Sequence, residues 1–188
     1  MNRRADVAAY GCIDEAGSKM VLEKVRTLSV YDPDPARIGE LSQSLFDPWK
    51  FSACVHDILE KPLPVEHDAI YNLDTLEYVS PSDEDRYLEN LSRSLCRPQD
   101  ILIIGVAPSA ADDGMGDASV QTGLRLVPAD KPLKGSPLRY RRTAAAVKAL
   151  LEFHFRTVSL FSMTAGVLRP GAEDKSDYLF ALCSSKKR

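Results

Sequence analysis

Short apolar runs alternate with amphipathic stretches along almost the whole chain. Ala5–Tyr10 is an apolar run closed by Gly11, and reads as a buried strand. Ala16–Val25 follows with Met20, Val21 and Val25 at helical spacing. Thr27–Tyr31 is a second strand-type run, stopped by the sequence DPDP, and Pro35–Phe46 reads as a helix with its proline in the first turn. Phe51–Val55 and His67–Asn72 are the next strand candidates. Asp83–Leu95 places Tyr87, Leu88, Leu91 and Leu95 on one helical face, with acids at its start.

Ile101–Val106 is the most apolar stretch of the chain, as expected of a strand buried on both faces. An alanine-rich helix, Thr143–Phe155, and two last strands, Thr157–Met163 and Tyr178–Cys183, complete the series. This alternation predicts an α/β domain with a mainly parallel sheet. Only the last two strands lack a helix between them, so they should pair antiparallel. Residues 107–142 break the rhythm, with four prolines and with Asp112, Asp113 and Asp117. So long a connection after a central strand reads as an insertion or a lid over the ligand crevice of an open sheet.

Composition narrows the class without naming it. The 188 residues are 44% hydrophobic and 27% charged, and 24 Lys+Arg against 27 Asp+Glu give a net charge of −3. One domain with its own core is expected, and neither nucleic acid nor an anionic membrane is an expected partner. No apolar run approaches the length of a membrane span or a secretory signal. Cys12, Cys54, Cys96 and Cys183 are scattered, so no disulfide framework or metal site is expected, and a cytoplasmic location fits best.

Strand, Gly11, helix, strand and then Asp32 is the outline of a nucleoside-binding unit. A glycine turn allows close backbone approach, and an acid about 20 residues on meets ribose hydroxyls. Asp32 follows Gly11 by 21 positions, but Ile13 and Glu15 stand where such loops usually carry glycine. A nicotinamide-dependent dehydrogenase shares the outline and fails on that loop. His56, His67 and His154 read as structural or solvated. Arg139, Arg141 and Arg142 read as a solvated helix start, with contact to a phosphate or an acidic partner as the alternative, Lys186–Arg188 as a frayed basic end, and Trp49 and Phe51 as core or rim.

The segments VAAYGC, SVYDPDP, HDILEKPLP, HDAIYNLDTLEYV, ILIIGVAPS, FSM and DYLFALC together resemble a class I S-adenosylmethionine-dependent methyltransferase. The resemblance spans nearly the whole chain. It implies a Rossmann-like seven-stranded sheet of order 3-2-1-4-5-7-6, with the last strand antiparallel and helices on both faces. It implies S-adenosylmethionine as cofactor, with Gly11 at its loop, Asp32 on the ribose, Asp57 on the adenine amine and Ile58 beside the ring. Asp74, Glu77 and Tyr78 fall on the family's D-x-L-E-H segment and form the candidate acid–base cluster.

The departures from that pattern carry a second expectation. Ala9 stands for an acid, Ile13 and Glu15 for glycines, Tyr78 for the histidine, Leu124 and Leu126 for a polar pair, and Arg169 for a later histidine. Loss in several motifs at once predicts doubtful cofactor binding and a catalytically impaired homologue. Such a chain would serve as a partner subunit of a related methyltransferase or of a second copy of itself. Few residues precede the first strand, where the family has a covering helix, and an open face there also favours a protein partner. The alternative is an active enzyme acting on a small molecule or glycan.

Overall fold

In the computed structural model, residues 5–11, 15–45, 47, 49–107, 124–128, 138–164, 166–171 and 178–187 are described. The strands are β1 (Asp6–Gly11), β2 (Thr27–Asp32), β3 (Phe51–Val55), β4 (Ala69–Leu73), β5 (Ile101–Val106), β6 (Leu124–Pro128), β7 (Leu138–Arg142), β8 (Phe155–Thr164), β9 (Val167–Pro170) and β10 (Tyr178–Lys186). The helices are α1 (Glu15–Leu22), α2 (Pro35–Ser44), α3 (Glu84–Arg93) and α4 (Ala144–His154), with a single 3-10 turn over Leu76–Tyr78. Sequence and structure agree on type and place for each run, with ends displaced by a few residues. Asp34 accepts from the Ala36 amide to cap α2 beside Pro35, and Thr143 caps α4 by accepting from Ala146.

The main sheet runs β3-β2-β1-β4-β5-β10-β8-β9. Its first seven strands reproduce the expected order, with β10 as strand seven and β8 as strand six. Strands β1 to β5 are parallel, while β10 is antiparallel to both β5 and β8. The expected seven strands become eight because the chain turns at Gly166, in the left-handed region at φ +78°, and returns as β9 on β8. Residues 107–142, expected as an insertion or lid, contribute the separate antiparallel hairpin β6–β7, whose first pair is Leu124 opposite Arg142.

The period of two along β1 sorts its residues between two cores. Ala8 and Tyr10 join Ile70, Leu102 and Ile104 in a cluster that also holds α3 and α4 residues Leu88, Leu91 and Leu151. Val7 and Ala9 pack with Leu28, Val30, Ile38 and Leu41 under α2. Ala9 is 1% exposed, so the acid missing there would have been a buried one. Beyond β1 the second face is thinly covered. Tyr71, Leu73, Ile103 and Phe180 are only half-buried and line an open apolar cleft of about 700 Å³. No described helix is long and apolar enough to cross a membrane.

The parallel strands set all the relevant carboxyl ends along one edge. The order reverses between β1 and β4, so the ligand crevice of this sheet opens between Gly11 and Asp74.

Candidate active site

Gly11 ends β1 at φ +91°, a conformation open to glycine and strained for other residues. A Cβ there would lie 1.8 Å from Thr75 Oγ1, whose hydroxyl donates to the Leu73 carbonyl. The glycine is thus demanded by the contact with the β4 turn as well as by its dihedral. The loop position Ile13 lies outside the described residues, and so does Cys12. Glu15 opens α1, where an acid suits the helix dipole, and it pairs with Lys19, which lowers its pKa. Its carboxylate is exposed and engaged along its own helix.

Asp32 ends β2 and is 1% exposed. Its Oδ1 accepts from the Asp34 amide at 2.8 Å, and Oδ2 lies 3.4 Å from Arg37 Nη1. Asp57 follows β3, with Oδ1 accepting from the Leu59 amide at 3.0 Å. Tyr10 Oη accepts from the Ile58 amide at 3.2 Å, while Asn90 Nδ2 donates to the Ile58 carbonyl at 2.7 Å. Burial raises the Tyr10 pKa well above the phenol range, and the charges of Asp57 and Asp32 add to it. Gly11, Asp32 and Asp57 therefore stand in a row on adjacent strand ends. Ile58 is fully buried in the core, so its side chain braces the Asp57 loop from beneath and has no surface left for an adenine ring.

The second group lies across the crevice. Asp74 takes φ +57° after β4 and donates its amide to the Gly105 carbonyl, locking the turn to β5. Glu77, in the 3-10 turn, is 2% exposed; Oε1 accepts from the Ala107 amide at 2.7 Å and Oε2 lies 3.7 Å from Arg139 Nη1. Burial raises the Glu77 pKa and nearby Asp74 adds to it, against the Ala107 bond and the charges of Arg139 and Arg141. The Arg139 guanidinium sits 5.2 Å from the centre of the Tyr78 ring, a cation–π distance. Tyr178 packs over Gly105, where a Cβ would come within 2.6 Å of its ring, and burial beside Asp74 and Glu77 holds its phenol protonated.

Three arginines expected as a solvated helix start belong to this group. β7 carries Arg139 and Arg141 to one face and Arg142 to the other. Arg142 is 5% exposed, pairs with Glu84, and donates to the carbonyls of Leu76, Tyr140 and Val79. It staples the hairpin to the 3-10 turn. The alternation in LRYRR was the available signal, but it reads as a strand only once β6 is known to pair with it. Lys186, expected as frayed, instead donates to the Ser92 and Leu95 carbonyls at the end of α3, and Trp49 is exposed rather than core or rim.

No protein-family model and no curated relative matches the sequence. Solved structures match the fold. The N-methyltransferase NodS from Bradyrhizobium japonicum WM9, in complex with S-adenosyl-L-homocysteine, superposes with a TM-score of 0.65 at 19% identity, over 97% of this chain and 78% of that one. The Burkholderia thailandensis 1,6-didemethyltoxoflavin-N1-methyltransferase, with its substrate and S-adenosylhomocysteine bound, gives 0.65 at 18% identity over 98% and 72%. The glycopeptide N-methyltransferase MtfA, also complexed with S-adenosylhomocysteine, gives 0.69 at 8% identity over 97% and 84%. The fold of this chain is that of the class I S-adenosylmethionine-dependent methyltransferases.

Proposed function

We propose that this chain, with its class I methyltransferase fold, is an active S-adenosylmethionine-dependent methyltransferase acting on a small molecule. The observation that carries this reading is Glu77: a buried carboxyl with a raised pKa, held by the Ala107 amide in the turn after β4, at the same sheet edge as Asp32 and Asp57. An acid tuned upward by burial is suited to take a proton from a nucleophile near neutral pH.

The carboxylate row supports cofactor binding by its chemistry. Asp32 would accept hydrogen bonds from the ribose hydroxyls and Asp57 from the adenine amine, while the Gly11 turn lets the chain approach closely. The cofactor supplies an electrophilic methyl group on a sulfonium. The work of the protein is to hold the acceptor in line with it and to exclude water, since a misplacement of about 1 Å can cost on the order of 100-fold in rate. Glu77 takes the acceptor proton, Asp74 and Tyr178 shape the wall beside it, and Arg139 stacked on Tyr78 limits where Glu77 can move.

The structural neighbours, a 1,6-didemethyltoxoflavin-N1-methyltransferase and a glycopeptide N-methyltransferase, support a small or peptide-borne acceptor over a macromolecular one. The purified chain, given S-adenosylmethionine and a panel of small amines and hydroxyl compounds, is expected to release S-adenosylhomocysteine, read by mass spectrometry, and to lose this activity in Glu77→Gln. A panel without turnover, or turnover untouched by Glu77→Gln, overturns the assignment. A second reading, a non-catalytic partner subunit in the cytoplasm bound to a related methyltransferase or to a second copy, is favoured by the open apolar cleft along Tyr71, Ile103 and Phe180. It predicts cofactor-independent association and no turnover.

A further inference from the structure

Arg139 and Arg141 leave the same face of β7, which Arg142 fastens to the 3-10 turn from the other side. Both present a buried Nε without a hydrogen-bond partner. A guanidinium offers five N–H donors in a planar fork that matches a carboxylate, and a buried donor left without an acceptor is destabilising. Glu77 does not meet this demand: its Oε2 is 3.7 Å from Arg139, beyond hydrogen-bond length, and its Oε1 is committed to Ala107. Among the described residues Arg141 has no ion pair at all. Two guanidinium groups thus lie near Glu77, each with its Nε left unpaired.

We propose that Arg139 and Arg141 form a clamp for a carboxylate on the methyl acceptor, which is then a small molecule bearing an acid group beside its nucleophile. This rests on the methyltransferase reading for the word acceptor, but the clamp itself is a property of β7. The charge balance selects among oxyanions. Asp74, Arg139 and Arg141 all act electrostatically on Glu77, so a dianionic phosphate meets more repulsion from the two acids than a single carboxylate does. The cofactor carboxylates lie at the ends of β2 and β3, whereas the clamp hangs over the turn after β4, so it serves the second substrate.

The test is calorimetry on the full chain, with and without S-adenosylhomocysteine. The probes are acetate, succinate and benzoate, their uncharged amides, and inorganic phosphate. At least one carboxylate is expected to bind while its amide does not. Arg141→Gln should weaken that binding about 10-fold or more, and Arg141→Lys, which keeps the charge without the fork, should fall between. Arg156→Gln, on β8 away from the crevice, should leave it unchanged. Equal binding in wild type and Arg141→Gln, no carboxylate binding, or tighter binding of phosphate would each overturn the clamp. If the carboxylate binds through Arg141 while S-adenosylhomocysteine does not bind, the clamp stands and the methyltransferase reading falls. The reverse pattern removes the clamp alone.

Discussion

The two edges of the sheet hold similar residues in opposite states. At the amino edge, Asp68, Cys96 and Asp100 bring potential metal ligands within 4.8 Å of one another. Yet Arg97 donates to Asp68 at 3.0 Å, its amide donates to Asp100 at 2.8 Å, and the Asp6 amide takes the second oxygen of Asp68 at 3.0 Å. These acids are already answered by the protein. At the carboxyl edge, Glu77, Arg139 and Arg141 lie closer to the interior, with long contacts and buried nitrogens lacking partners. Acids and arginines in proximity therefore do not by themselves mark a site. What distinguishes the carboxyl edge is that two of its guanidinium groups keep a buried Nε without a partner.

The comparison is broken most severely through Arg142, whose bonds make the carboxyl-edge cluster possible. Arg142→Met strips Glu84 and two turn carbonyls of their buried donor, and urea unfolding should register a loss of about 3–5 kcal/mol. An unchanged midpoint would mean that the hairpin is not held from this side. Next in size is Glu77→Gln, expected to lower turnover by about 100-fold or more while cofactor affinity is kept. In the wild type the rate should rise with pH through the raised Glu77 pKa, because only the carboxylate accepts a proton. Stability moves the other way: the folded state holds the proton to higher pH than the unfolded chain, so it weakens as pH rises through the same range.

His67 provides a smaller contrast within the amino edge. It is 3% exposed, with Nε2 near Tyr31 Oη at 3.3 Å, and burial lowers its pKa below the ordinary value of 6.5. Below pH 6.5 the unfolded chain takes a proton that the folded one refuses, so stability should fall with acidification by at most about 1.4 kcal/mol per pH unit. His67→Gln should flatten that slope in denaturant titrations at pH 5 to 7. The smallest effect is expected at Arg97, which is more than half exposed. Arg97→Ala should shift the urea midpoint only slightly and less still at high salt, and a shift as large as that of Arg142→Met would make the amino edge more than a solvated ion cluster.

The sheet was legible because its signals are local. Ile101–Val106 and Ala5–Tyr10 announce buried strands by composition, and DPDP and Gly11 punctuate them. The carboxyl ends that carry Asp32, Asp57, Asp74 and Glu77 could then be placed by resemblance. The hairpin β6–β7 was not legible, since strand pairing across a long connection is a non-local fact. Its arginines, adjacent to an alanine-rich helix, looked like a polar helix start. Nor could local pattern show that Ile58 would be sealed in the core while its amide meets Tyr10. The same non-locality hid Tyr178, which reaches Gly105 and Asp74 from the last strand.

The most direct test of the central claim, that the carboxyl edge binds S-adenosylmethionine, is calorimetric titration of the chain with S-adenosylhomocysteine, comparing wild type with Asp32→Ala. Micromolar binding in the wild type, weakened about 10-fold or more in Asp32→Ala, is the predicted result. Absence of binding, or binding indifferent to Asp32, would contradict it.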